Sequence, residues 1–203
     1  MKTLFSSVAT TATTVTTTTT TRSMIQLAQP GDPIFGICNT TAGGDSTPSV
    51  ISGTNPCNFY TGEIPSNAID NNYLTKYTNF GSGTISTSSP TQGCNTGFYT
   101  TPSMGPSVLK AFVFITGNDN PNRDPTAITI EGSNSTTSLT IGTSWTLIYS
   151  GLCGLSSDPG RRMSGVQQRF TSNTVAYLSY RLLITTQRGS ECSVQYSEAI
   201  FLG

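Results

Sequence analysis

The sequence predicts an all-β protein, an antiparallel β-sandwich with a Thr-rich N-terminal tail. Three observations carry this expectation. From about Gln29 onward, short apolar or alternating runs of strand length recur along the 203-residue chain. Clusters of Gly, Pro, Asn and Asp separate them, notably at 117–125 and 156–162. No stretch sustains the 3.6-residue apolar period of an amphipathic helix. Many strands joined by turn-rich segments fit packed antiparallel sheets better than alternating strand–helix units.

Residues 1–29 form the expected tail and 30–203 the expected sandwich domain. The tail is of low complexity, with an unbroken run Thr16, Thr17, Thr18, Thr19, Thr20 and Thr21. Such a tract has little to bury and reads as an extended stalk whose threonines are candidate O-glycosylation sites. The opening Met-Lys-Thr-Leu-Phe has too short an apolar stretch for a full signal peptide. It reads either as a degenerate signal or as the start of a piece of a longer secreted protein.

In the body, Val108–Thr116 is nearly continuously apolar and suits a central strand covered on both faces. Ala127–Glu131 alternates, with Ile128 and Ile130 expected inward and Thr129 and Glu131 outward. Trp145–Ser150 is a further strand, which places Trp145 in the core. In Tyr177–Thr186, Leu178, Tyr180, Leu182 and Ile184 share one side. Val194–Leu202 closes the chain, with Val194, Tyr196, Ile200 and Leu202 on one parity. Glu198 has that same parity and is expected to point inward. A buried carboxylate must find a cation or protonate. Its candidate partners are Arg181 and a metal held by the oxygen-rich loop Asn67–Gly81, which carries Asp70, Asn71, Asn72 and Thr75.

Composition excludes several functions. Ten Lys and Arg balance ten Asp and Glu, and only 10% of residues are charged, so no basic surface for nucleic acid is expected. No apolar run reaches the roughly 18 residues of a membrane span. The chain contains no His, which removes Ser-His-Asp and Cys-His nucleophiles and His-based metal sites. With oxygen ligands plentiful, calcium is the metal expected. The five cysteines, Cys38, Cys57, Cys94, Cys153 and Cys192, have no metal-knuckle spacing and suggest disulfides in an oxidising compartment, with one cysteine left over. Asn39 and Asn134 begin acceptor sequons. The ten acidic residues show no spacing that suggests a glycosidase pair, so an enzyme is the least favoured class.

Four stretches, in order across residues 34–203, resemble the discoidin-like (coagulation-factor type C) modules of the galactose-binding-like jelly-roll superfamily, which includes many carbohydrate-binding modules. They are Ala68-Ile69-Asp70-Asn71-Asn72-Tyr73-Leu74-Thr75-Lys76-Tyr77; Gly117–Pro125 followed by Glu131-Gly132-Ser133-Asn134; Trp145 with Ile148; and Ala176–Arg181 with Gln195–Gly203. The resemblance implies a structural calcium held by the Asp70 and Thr75 side chains, the Ala68 and Asn72 carbonyls, and Glu198 from the last strand. Asn71 stands where the family usually has Gly, and Asn tolerates the left-handed backbone this requires. The family's sugar site sits on loops at one end of the sandwich, with an aromatic platform beside Arg, His or Asn. Here His is absent, and the candidates are Phe98, Tyr99, Asn118, Asn120, Arg161 and Arg162, all in predicted loops. Arg123–Asp124 reads as a local ion pair. The function expected is a secreted, non-catalytic glycan-binding or adhesive module whose partners are extracellular glycans or glycoproteins. The alternative is a self-associating structural subunit of an extracellular coat or filament, its tail packed between subunits.

Overall fold

The computed structural model describes residues 23–203; the Thr16–Thr21 run lies outside the described residues. Eleven strands follow in order: β1 (Ile34–Cys38), β2 (Thr47–Pro48), β3 (Tyr77–Asn79), β4 (Thr96–Thr100), β5 (Ala111–Ile115), β6 (Pro125–Ser133), β7 (Thr146–Leu152), β8 (Gln168–Arg169), β9 (Ser179–Gln187), β10 (Val194–Tyr196) and β11 (Glu198–Leu202). The only helical turns among the described residues are three short 3-10 segments, at Pro65–Ala68, Pro121–Arg123 and Gly142–Ser144. No helix among them is long and apolar enough to cross a membrane.

A six-stranded sheet, β2-β1-β4-β9-β6-β7, packs over a three-stranded sheet, β11-β5-β8, and a two-stranded ribbon, β10-β3. All pairings between these strands are antiparallel. Phe98, Ile128, Ile130, Tyr180, Leu182 and Ile184 come from the large sheet and meet Phe112, Phe114, Tyr196 and Phe201 from the smaller ones. The aromatic rings interlock, Phe98 edge-on to Phe201 at 6.0 Å and Phe114 against Tyr196 at 4.7 Å, spacings at which ring quadrupoles attract. Ile25–Ala28, grouped with the tail by sequence, runs along β11: Ile25 and Leu27 donate to the Gly203 and Phe201 carbonyls, and Leu27 and Ala28 join the core.

The last segment does not keep one parity. Val194 and Tyr196 face the core from β10, but in β11 the core residues are Ala199 and Phe201, while Ile200 and Leu202 are half-buried. The chain changes partner at Ser197, from Tyr77 across Tyr196 to Ile115 across Glu198, and the frame shifts by one residue. Glu198 is fully buried, but on the side opposite Phe201, under the Asp70 loop.

The outer face of the large sheet also differs from expectation. Thr129 and Glu131 are buried, not exposed. The register aligns Phe35, Tyr99, Arg181, Glu131 and Leu147 in one row across five strands. The 43–46 loop covers this row's centre. Arg181 Nε meets Glu131 Oε2 at 2.7 Å, Glu131 Oε1 accepts from the Gly43 N–H, and Arg181 also donates to the Gly44 carbonyl and Ser46 Oγ. Arg181 is thus the partner of Glu131, not of Glu198. Trp145 is buried as expected, but it precedes β7 and lies over the Arg181 guanidinium, 4.8 Å to the ring centre, outside the main core.

Cys38 and Cys57 form a disulfide, while Cys94, Cys153 and Cys192 are free, three rather than the expected single leftover. Cys153 is buried, and burial pushes its thiol up to about 12, so it stays protonated and inert at neutral pH.

Candidate functional site

The Asp70 loop closes onto the last strand. Asn71 adopts a left-handed backbone, φ 59°, which turns the chain so that the Asn72 N–H donates to both Asp70 Oδ1 and Glu198 Oε1, each at 2.9 Å. Thr75 Oγ1 lies 2.7 Å from both Asp70 Oδ2 and the Asn72 carbonyl. Gln26 ties the loop to the N-terminal segment through Asn71. Four of the five residues predicted to hold calcium, Asp70, Asn72, Thr75 and Glu198, therefore meet, and Ala68 lies just ahead of them with its side chain in the core. Burial and the adjacent Asp70 carboxyl push Glu198 up to about 8, against the amides of Asn72 and Asn71. Glu198 Oε2 is buried without a hydrogen-bond partner. Two facing carboxylates with an orphaned oxygen fit a hard cation. Among the described residues, no cluster gathers three or more Cys, Asp or Glu, so carbonyl and hydroxyl oxygens would have to complete the shell.

The predicted ligand residues do not converge. Phe98 is wholly buried in the core on β4. Tyr99 is on the same strand, half-buried on the outer face, and stacks on Phe35 at 5.1 Å. Arg161 grips Asp124 with two bonds, at 2.8 and 2.6 Å, and also reaches Asp158; it anchors the 156–162 turn to the start of β6. Arg162 is exposed with φ 58°, beside Gly117. Arg123 and Asp124 do not pair with each other. Arg123 bonds Glu191 at 3.3 Å, and Asp124 is held by Arg161 and Arg188. Asn118 is exposed, while Asn120 caps the Pro121–Arg123 turn and donates to Glu191. The sequon residues Asn39 and Asn134 are both exposed.

A pocket of about 230 Å³ opens where the 59–63, 76–85, 117–123 and 191–193 segments meet, at the end of the sandwich away from Ile25 and Gly203. Tyr60, 41% exposed, tilts over Phe80 at 6.2 Å to give an aromatic wall. Facing it is Lys76, buried to 7% exposure. Its ammonium donates to Asp119 Oδ1 and Gln195 Oε1, both at 2.9 Å, and pairs with Glu63 at 3.4 Å. Gln195 returns a bond to Asp119 at 2.6 Å. Although desolvation opposes it, hydrogen bonds from Lys76 and Gln195 hold the Asp119 carboxyl below its usual range. Arg123 forms the far rim. The result is a fixed array of donors and acceptors beside aromatic carbon, the composition of a small-molecule site for a polar ligand. Lys76 and Asp119 lie in two of the stretches that carry the family resemblance, though residue type there does not mark them as ligand groups, and Tyr60 and Glu63 have no local sequence signal; Lys76 finds acceptors 43 and 119 residues along the chain.

No protein-family model matches the sequence, and no curated protein matches it. Solved structures do resemble the fold. The family 32 carbohydrate-binding module (CBM) of Clostridium perfringens NanJ, in complex with galactose, is 14% identical and aligns over 88% of this chain and 100% of its own, with a TM-score of 0.50. Chitosan-binding module 1 of a Paenibacillus chitosanase/glucanase is 14% identical over 89% of this chain and 100% of its own, with a TM-score of 0.53. An F5/8 type C domain from Bacteroides fragilis is 11% identical over 70% of this chain and 81% of its own, with a TM-score of 0.51. The chain has the β-sandwich fold shared by family 32 carbohydrate-binding modules and F5/8 type C, discoidin-like domains.

Proposed function

We propose that this protein is a non-catalytic glycan-binding module and that the Tyr60–Lys76 pocket is its sugar site. The observation that carries the reading is the buried Lys76 ammonium, held beside the Tyr60 and Phe80 rings by Glu63, Asp119 and Gln195. A pyranose presents a face of C–H groups to an aromatic ring and hydroxyls at its edge to charge-assisted donors and acceptors. Pre-formed polar groups lower the ordering cost of binding. The neighbours solved with galactose and with GalNAc-β-1,3-galactose support the ligand class. The solved structures that share this fold include carbohydrate-binding modules, which supports binding over hydrolysis.

Calcium at Asp70, Asn72, Thr75 and Glu198 is a structural clasp in this reading. When bound, it would neutralise the two carboxylates and join the early loop to the last strand. The Cys38–Cys57 disulfide supports an oxidising, extracellular setting. The test is an array of defined glycans, with wild type compared against Tyr60→Ala and Lys76→Gln. Binding to a glycan subset that both changes abolish is expected; silence across the array with folded protein overturns the reading.

Self-association is the second reading. It is favoured by β7, an edge strand without charge or proline whose Leu147 and Leu152 are 54% and 58% exposed. A protein that stays monomeric by sedimentation at millimolar concentration rules it out.

A further inference from the structure

A second cavity lies on the side of the sandwich, apart from the end pocket. β2 is only two residues long and pairs Ile37 and Cys38, leaving the other half of β1 with one free edge. A cleft of about 300 Å³ opens there, at the lower end of the range for small-ligand sites. Its wall is an aromatic pair. Phe35 and Tyr99 are cross-strand neighbours on β1 and β4, pointing away from the core, with rings 25° from parallel at 5.1 Å. Phe35 is 52% exposed.

The platform is braced from behind. Trp145 lies 6.0 Å beyond Tyr99, and its own ring rests on Arg181. Arg181 is in turn pinned by Glu131, Gly44 and Ser46. A row of rings held by a buried ion pair is pre-organised.

Polar groups surround the platform without any charged side chain lining the cleft. The Gly36 carbonyl accepts from the Ser49 N–H on the side away from β4. Alternation along an antiparallel strand turns the Ile34 N–H and C=O to that same side, where no strand among the described residues meets them. The Thr140 hydroxyl at the rim has no hydrogen-bond partner among the described residues.

We propose that the Phe35–Tyr99 cleft is a second sugar site, which takes one neutral pyranose stacked on the aromatic pair and hydrogen-bonded to the β1 edge. This extends the glycan reading to a second surface but does not depend on the Tyr60–Lys76 pocket. An ionic sugar would find no counter-charge here, and a wholly apolar ligand would leave the free backbone groups of β1 unpaired and cut off from water.

The test is a ¹⁵N–¹H chemical-shift titration of the full chain with galactose, N-acetylgalactosamine and chitooligosaccharide, with toluene as the apolar control. A saturable sugar-dependent shift at Phe35, Val50 and Tyr99 is expected. Phe35→Ala should weaken it about tenfold or more, and Phe35→Tyr should retain it. Because Phe35 is half exposed, both substitutions at that site are compatible with folding. Sugar shifts confined to the Tyr60–Lys76 pocket overturn this proposal and leave the first reading standing. Shifts confined to Phe35–Tyr99 do the reverse. Toluene shifts without sugar shifts at the cleft, or no sugar shifts anywhere, overturn the second site.

Discussion

Replacing Glu131 by Gln tests the packing of the sheet's outer face. Glu131 and Arg181 are 1% and 0% exposed, and the change leaves a guanidinium buried without its carboxylate. Removing one partner of a buried pair costs about 3–5 kcal/mol. Arg181 keeps the Gly44 carbonyl and Ser46 Oγ, which places the expected loss at the lower end, about 3 kcal/mol. For a domain of this size that is a fall of roughly 6–12 °C in melting temperature. Arg181→Met, which keeps the bulk and drops the charge, leaves Glu131 held only by the Gly43 amide and should cost a similar amount. The double change Glu131→Met, Arg181→Met should recover much of the loss, because two apolar side chains replace two desolvated charges. Calorimetry gives the three values. Trp145, the only tryptophan, reports locally, and its emission should shift when the guanidinium beneath it is removed. Single changes that each cost under 2 °C, or a double change equal to the sum of the singles, would refute the coupled buried pair.

Other predictions concern the clasp and the disulfide. Calcium at a hundred times its dissociation constant should add about 2.7 kcal/mol to stability, and Asp70→Ala should abolish the response; melting insensitive to both calcium and EDTA would remove the metal from the account. In EDTA, Glu198, raised from 4.5 to about 8, holds its proton over a range where the unfolded chain has lost it, so its contribution falls as pH rises from about 4.5 to 8 and is unchanged below. At about 1.4 kcal/mol per pH unit the ceiling is about 5 kcal/mol, and water at the exposed Asn71–Tyr73 turn reduces the expected effect to about 2 kcal/mol. Glu198→Gln should therefore stabilise the calcium-free protein at pH 8 and leave it unchanged near pH 4, as urea titrations at the two pH values would show. Cys38→Ser with Cys57→Ser opens a bridge between residues 19 apart and should cost about 3 kcal/mol by chain entropy, read in the same titrations.

The strands that alternate cleanly were legible in the sequence, because a half-buried antiparallel strand repeats every two residues. Tyr180, Leu182 and Ile184 all reach the core on that pattern. The pattern misled where a face is covered by something other than the opposing sheet. Glu131 looked outward-facing because its alternation is perfect, yet the 43–46 loop, nearly ninety residues earlier, roofs it over. Glu198 is buried as expected but on the opposite side, since the sheet change at Ser197 leaves no mark in residue type. The meeting of Glu198 with Asp70 was readable because both lie in stretches with distinctive order. The Tyr60–Lys76 pocket was not, because four segments distant in sequence supply it and nothing within any one of them shows which residues meet. Phe98 and Tyr99 looked like loop residues because β4 is short and contains Gly97, whose backbone passes so close to the Leu182 carbonyl that a Cβ would lie 1.9 Å from it.

The most direct test of the central claim is the structure of the protein soaked with galactose at high concentration. A pyranose ring should lie against Tyr60 with hydroxyls bonded to Lys76, Asp119 or Arg123. A sugar bound on other residues while this pocket holds only solvent would contradict it.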